Sequence, residues 1–191
     1  MNKQIIIGIT GTLGAGKGEI VNYLVNEKGF IHFSVSDYLK EEINKRKLPI
    51  NRESMRIVAN EIRTKYGAGF IVDFLYKKAK ITNKNSIIES IRTLGEINTL
   101  KEKGNFYLFA VDADPKIRFE RIKKRESEKD NVNFKEFINA ERKEMNSTDP
   151  SKQNLKECIK NANYKFDNNG TFENLHQQID KTLQEIFAEK K

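Results

Sequence analysis

Five short apolar runs, rich in β-branched and aromatic residues, punctuate the chain at 5–9, 30–35, 86–91, 105–111 and 163–167. Between them lie longer segments whose apolar positions recur every three or four residues, the period of an amphipathic helix. Residues 16–28 put Ile20, Val21, Leu24 and Val25 on one face and stop at Gly29. The last segment, from 171 onward, carries a stripe of Phe172, Leu175, Ile179, Leu183, Ile186 and Phe187. Strands that alternate with helices predict an α/β fold, a five-stranded parallel sheet flanked by helices. The run at 86–91, SIIESI, is expected at the sheet centre.

Polar punctuation refines the boundaries. Asn51 is placed to cap a helix to residue 66, Gly67-Ala68-Gly69 breaks it, and residues 70–80 resume as helix. The region 47–85 therefore holds more helix than one crossover needs and is expected as a helical insert over the strand ends, where a second small molecule binds. A further helix spans 93–103 and ends at Gly104; Asp114 with Pro115 starts another, Asn133 with Glu136 a third reaching 145, and Thr171 the last, after a helix over 151–160. Ser36 or Asp37 begins the helix over 38–46, and Asp37 has two readings: its N-cap, or a carboxylate at a strand end facing a cleft. No repeat or long linker divides the 191 residues, so one domain is expected.

The chemistry concentrates in the first strand-to-helix turn. Gly11-Thr12-Leu13-Gly14-Ala15-Gly16-Lys17 has two glycines bracketing four residues and then lysine, the spacing of a phosphate-binding loop. Glycines let successive amides turn inward and form an anion nest at a helix N-terminus, and Lys17 adds a mobile charge. Gly18 stands where the common motif has a metal-binding hydroxyl, and Glu19 follows it. A Mg²⁺ ion is then expected on nucleotide oxygens, waters and a carboxylate from elsewhere, with Glu89, at the end of the third strand, acting through water.

Composition sets limits. No run of ~20 apolar residues is present to span a membrane, and the chain enters its first strand at once; with a lone Cys158, an intracellular, cytoplasmic protein is expected. Cys158 itself reads as a small apolar helix residue, and His32 as an ordinary strand residue. The net charge of +8 admits nucleic acid as a partner, but 20 asparagines and abundant Lys and Ile suggest AT-rich codon drift, and a polyphosphate ligand also demands basic residues. That second account is preferred.

Arginines then gather at predicted strand ends and helix faces. Arg92 closes the third strand, Arg63 lies in the insert with Arg52 and Arg56, and Arg121 and Arg125 stand four apart on one helix face. Arg142 shares a charged helix with Glu141 and Glu144, and the stretch from about 126 to 146 is expected to close as a lid.

The Gly-Lys-Gly loop, an acid after the second strand, the Glu-Ser-Ile-Arg strand end, the Arg-x-x-x-Arg helix, the lid-like helix and the final D-N-N-G turn together resemble the P-loop nucleoside and deoxynucleoside monophosphate kinases, adenylate kinase relatives included. Dephospho-CoA kinase is also similar. The resemblance implies a P-loop NTPase fold, ATP as phosphate donor, Mg²⁺, and a small-molecule nucleotide as acceptor, converted to its diphosphate. It implies that residues 11–19 (Gly11, Thr12, Leu13, Gly14, Ala15, Gly16, Lys17, Gly18, Glu19) hold the donor, and that Arg121 and Arg125 meet its base and phosphates. Asn168, Asn169 and Gly170 would lie beside that base, and Asp37 and Arg92 at the acceptor. Two alternatives stand: transfer to a sugar hydroxyl, as in dephospho-CoA kinase with Asp37 as base, and a non-catalytic nucleotide- or nucleic-acid-binding protein.

Overall fold

The computed structural model describes residues 4–124, 133–147, 149 and 152–189. Strands β1 (Ile6–Gly11), β2 (Ile31–Ser34), β3 (Ser86–Glu89), β4 (Phe106–Asp112) and β5 (Tyr164–Asp167) form one sheet, ordered β2-β3-β1-β4-β5 and parallel throughout. The helices are α1 (Lys17–Asn26), α2 (Val35–Lys45), α3 (Arg52–Tyr66), α4 (Phe70–Ile81), α5 (Leu94–Glu102), α6 (Pro115–Lys123), α7 (Phe134–Met145), α8 (Leu155–Lys160) and α9 (Phe172–Ala188). Among the described residues no helix is long and apolar enough to cross a membrane.

The sheet centre is β1, not the 86–91 run. Every residue of β1 is buried, and it pairs with β3 on one side and β4 on the other. The third run yields only four strand residues because Ser90 leaves the extended region at φ 72. The strand order reverses at β1, and in open parallel sheets a crevice opens above the strand ends at such a point.

Two apolar layers sandwich the sheet. Ile20, Val21 and Leu24 of α1 pack with Leu175, Ile179, Leu183 and Ile186 of α9 on one face. On the other, Leu39 and Ile43 of α2, Val58 and Ile62 of α3, and Ile71, Val72 and Leu75 of α4 meet Ile88 and Leu108. Within the helical region expected over 47–85, α4 thus lies directly on the sheet, and α3 packs beside it toward the strand ends.

Local capping explains most boundaries. Asn51 accepts from Ser54 N at 2.9 Å, Asp114 from Lys116 N at 2.8 Å, and Asn133 and Glu136 close a reciprocal capping box. The helix expected from 151 begins at Leu155, where Asn154 is the cap. Asp37 is not an N-cap: α2 starts earlier, because Ser34 keeps extended geometry and its hydroxyl accepts from Asp37 N at 3.2 Å.

Candidate functional site

The turn after β1 is held by its own lysine and by two side chains from outside it. Lys17 Nζ donates to Gly11 O at 2.9 Å and Thr12 O at 2.8 Å, Arg118 Nη1 to Leu13 O at 3.2 Å, and Asn168 Nδ2 to Ala15 O at 2.8 Å. Four loop carbonyls are thereby drawn toward donors, the arrangement in which a loop's amides are left to face an anion. Gly14 (φ 78) and Gly16 (φ 106) both occupy the left-handed region. A Cβ at Gly16 would stand 2.1 Å from Asn168 Nδ2, and one at Gly14 2.5 Å from Arg118 O. Thr12 Oγ1 donates to Asp112 Oδ1 at 2.5 Å, tying the loop to the end of β4.

Asn168 is the hub of the far wall. It is 1% exposed, its amide N–H reaches Asp112 O at 2.9 Å, and its carbonyl accepts from Arg121 Nη2 at 2.9 Å. Asn169 Oδ1 accepts from Asp114 N at 2.6 Å, at the start of α6, and Gly170 lies exposed just beyond. Arg121 and the 168–170 turn therefore come together beside the loop. Arg125, and residues 126–132 of the expected lid, lie outside the described residues.

Position 18 opens into space, with nothing within 4 Å of a Cβ built on Gly18. Glu19 turns toward α9, where its carboxylate meets His176 Nε2 at 2.8 Å. The His176 ring stacks on Tyr23 with centroids 3.9 Å apart. Glu89 ends β3 with its carboxylate 3.3 Å from Ser34 Oγ and 3.9 Å from His32 Nε2. Among the described residues no three potential ligands cluster as a metal site. A single carboxylate suits Mg²⁺ carried mainly by phosphate oxygens and water, and suits an all-protein cage poorly.

A second cleft of about 170 Å³ adjoins the loop at Leu13. Arg52, Arg56 and Arg63 of α3 line it with Arg92 and Glu144. Arg63 is 2% exposed and bound through Nε and Nη2 to Glu96 Oε1, at 3.2 and 2.8 Å. The other oxygen of Glu96 accepts from the amides of Arg92 and Thr93, so one buried carboxylate fixes two of the pocket's four arginines, Arg63 and Arg92. Such a pair tolerates burial only because its remaining lone pairs are satisfied this way. Asp37 is not among the described residues lining this cleft; its exposed carboxylate pairs with Lys40 at 2.7 Å.

Helix α7 closes over both halves. Phe137 is buried against Phe119 of α6, Glu141 pairs with Arg118, and Glu144 with Arg92. Arg142 points outward and is exposed. Arg118, Glu96 and Asp112 were not expected at the site. For Arg118 a signal existed: it stands four residues before Ile122, and these two are the buried residues of α6. Cys158, wholly buried beside Glu96 and Arg92, has its thiol pushed up to about 12, chiefly by burial, so it stays protonated and inert as a nucleophile.

Residues 10–138 match the family model described as AAA domain. A UPF0200 protein of Methanococcus maripaludis is 30% identical over 185 residues, covering 95% of this chain and 97% of the relative. One of Pyrococcus horikoshii is 26% identical over 190 residues, covering 96% and 98%. Solved structures with a similar fold include shikimate kinase from Bacteroides thetaiotaomicron, with a TM-score of 0.55, 16% identity, and 94% and 98% of the two chains covered. Dephospho-CoA kinase from Campylobacter jejuni has a TM-score of 0.52, 15% identity, and 96% and 98% covered. The sheet and its flanking helices are thus those of a P-loop kinase fold.

Proposed function

The chain belongs to the AAA domain family and to the UPF0200 proteins, and we propose that it transfers the γ-phosphoryl group of ATP to a nucleoside monophosphate, giving the diphosphate. The observation that carries this reading is the chemistry of the cleft beside Leu13. Four arginines line it, and the one carboxylate lining it among the described residues, Glu144, is already bound to Arg92. Such a surface suits an anionic acceptor. A phosphate oxygen is itself a nucleophile, whereas a hydroxyl acceptor needs a general base, and Asp37 faces Lys40 instead.

In this mechanism the loop of residues 11–19 cradles the β- and γ-phosphates with its amides. Lys17 leaves the carbonyls of Gly11 and Thr12 to reach them. An oxygen of the acceptor phosphate forms a bond to the γ-phosphorus as the bond to the β,γ-bridging oxygen breaks, and ADP departs. Arg92 and Arg63 hold the acceptor, while Arg121, with Arg125 and Arg142 as further candidates, offsets charge on the migrating group. Asn168, Asn169 and Gly170 border the donor base. Mg²⁺, held by phosphate oxygens with Glu89 reaching it through water, would supply charge neutralisation between the phosphates. Closure of the 126–146 segment would exclude water and suppress hydrolysis.

The test is ATP against a panel of ribo- and deoxyribonucleoside monophosphates and dephospho-CoA, scored by product. Diphosphate formation is expected. Turnover of dephospho-CoA alone, or of no acceptor, would reject the reading. Lys17→Ala should lower turnover on the order of 10²- to 10³-fold, as loss of one transition-state donor does, in a chain that still unfolds cooperatively; wild-type turnover would remove Lys17 from the mechanism.

A further inference from the structure

Two polar atoms in the acceptor cleft are buried without a hydrogen-bond partner: Nη1 of Arg63 and Oε1 of Gln153. Buried polar groups are nearly always satisfied, so two orphans in one small cavity call for a polar partner, water or a ligand group that displaces it. One is a donor and the other an acceptor. Neither is adrift. Glu96 Oε1 takes the other two nitrogens of Arg63, leaving Nη1 alone for a ligand, while Glu96 Oε2 accepts from Arg92 N at 2.8 Å. On the opposite side of the same residue, Asn154 N donates to Arg92 O at 2.9 Å, and Asn154 Nδ2 to Ser147 O at 2.7 Å, which anchors the chain at Gln153. Arg63, through Glu96, and Gln153, through its neighbour Asn154, are therefore both tied to the backbone of Arg92.

With the Gln153 amide assigned so that Oε1 faces the cleft, a phosphate oxygen would satisfy Arg63 but be repelled by that carbonyl oxygen. A hydroxyl serves both, accepting from one and donating to the other. If Arg92 takes the acceptor phosphate, the group adjoining that phosphate is the sugar, and the base lies beyond it. We propose that Arg63 and Gln153 read a ribose hydroxyl, so that the enzyme selects ribonucleoside over deoxyribonucleoside monophosphates. This rests on the kinase reading above and narrows its substrate.

The experiment measures kcat/KM, and separately equilibrium binding, for the four ribonucleoside monophosphates and their 2′-deoxy and 3′-deoxy counterparts. Loss of one or the other hydroxyl should lower kcat/KM on the order of 10- to 100-fold, the range for leaving a buried hydrogen-bonding group unpaired. Gln153→Leu should bring that ratio toward one by lowering the ribonucleotide value, with thermal unfolding as the control for folding. Ribo and both deoxy acceptors within about twofold of each other, a ratio unmoved by Gln153→Leu, or discrimination by base alone would overturn the proposal while leaving the kinase reading in place. Product from no nucleotide would overturn both.

Discussion

Asp37 shows how a single side chain separates two chemistries. Its carboxylate lies on the exposed side of α2, 61% open to solvent and paired with Lys40 one turn along the same helix. Surface pairs of this kind contribute little to stability, and the pairing gives the group no cleft to serve. Asp37→Asn should therefore leave kcat/KM within about threefold, since an exposed ion pair three residues apart is worth only tenths of a kcal/mol. Steady-state kinetics on the accepted nucleotide checks this. A loss of a hundredfold or more would mean that Asp37 removes a proton, and the acceptor would then be a hydroxyl.

At the scale of elements, the β1-loop-α1 unit makes a contrast between two neighbouring glycines. Gly16 holds φ 106 against Asn168, whereas Gly18 has open space where a Cβ would go. Gly16→Ala should destabilise by about 1–3 kcal/mol through backbone strain, lower the melting temperature by about 2–4 °C per kcal/mol in a chain of this size, and weaken ATP binding as Asn168 is displaced. Gly18→Ser should raise stability by about 0.5 kcal/mol, from helix propensity. Calorimetry of the two variants decides; equal effects would show that the loop is not set by its contact with the 168–170 turn. Much of this unit was legible in the sequence, as were the starts of other helices, because motif, strand and cap are local: Lys17 begins α1, and Asn51, Asp114 and Thr171 cap α3, α6 and α9 as expected. What the sequence hid depends on partners far along the chain. Arg63 meets Glu96, Arg118 meets Glu141, and Arg92 meets Glu144 across 33, 23 and 52 residues, and no periodicity reports such pairings. The sheet centre was hidden likewise, because apolar runs of similar character give no sign of which neighbours flank them.

For the whole molecule, the question is what 35 basic residues against 27 acidic ones are for. A nucleic-acid surface gathers its cations in a patch or stripe that tracks the phosphate backbone. Here many cations are answered by nearby acids: Lys45 by Glu42, Arg46 by Glu61, Arg56 by Glu53, and both Lys77 and Lys103 by Asp73. The last two hold the Asp73 carboxyl below the usual carboxylate range, chiefly through their hydrogen bonds. Arg63 and Arg92 line a cavity instead of a face, and each has its own carboxylate, Glu96 and Glu144. With its cations dispersed and so often paired, the chain should neutralise few phosphates of duplex DNA and release few of their counterions. Binding of a labelled duplex measured against salt should give a shallow dependence of log K on log salt, with a slope no steeper than about −3, and nucleotide turnover should persist with duplex in excess. A slope near −6, as for a protein neutralising about six or seven phosphates, together with inhibition of turnover, would make the basic surface a nucleic-acid interface and the phosphate loop its nucleotide-dependent partner.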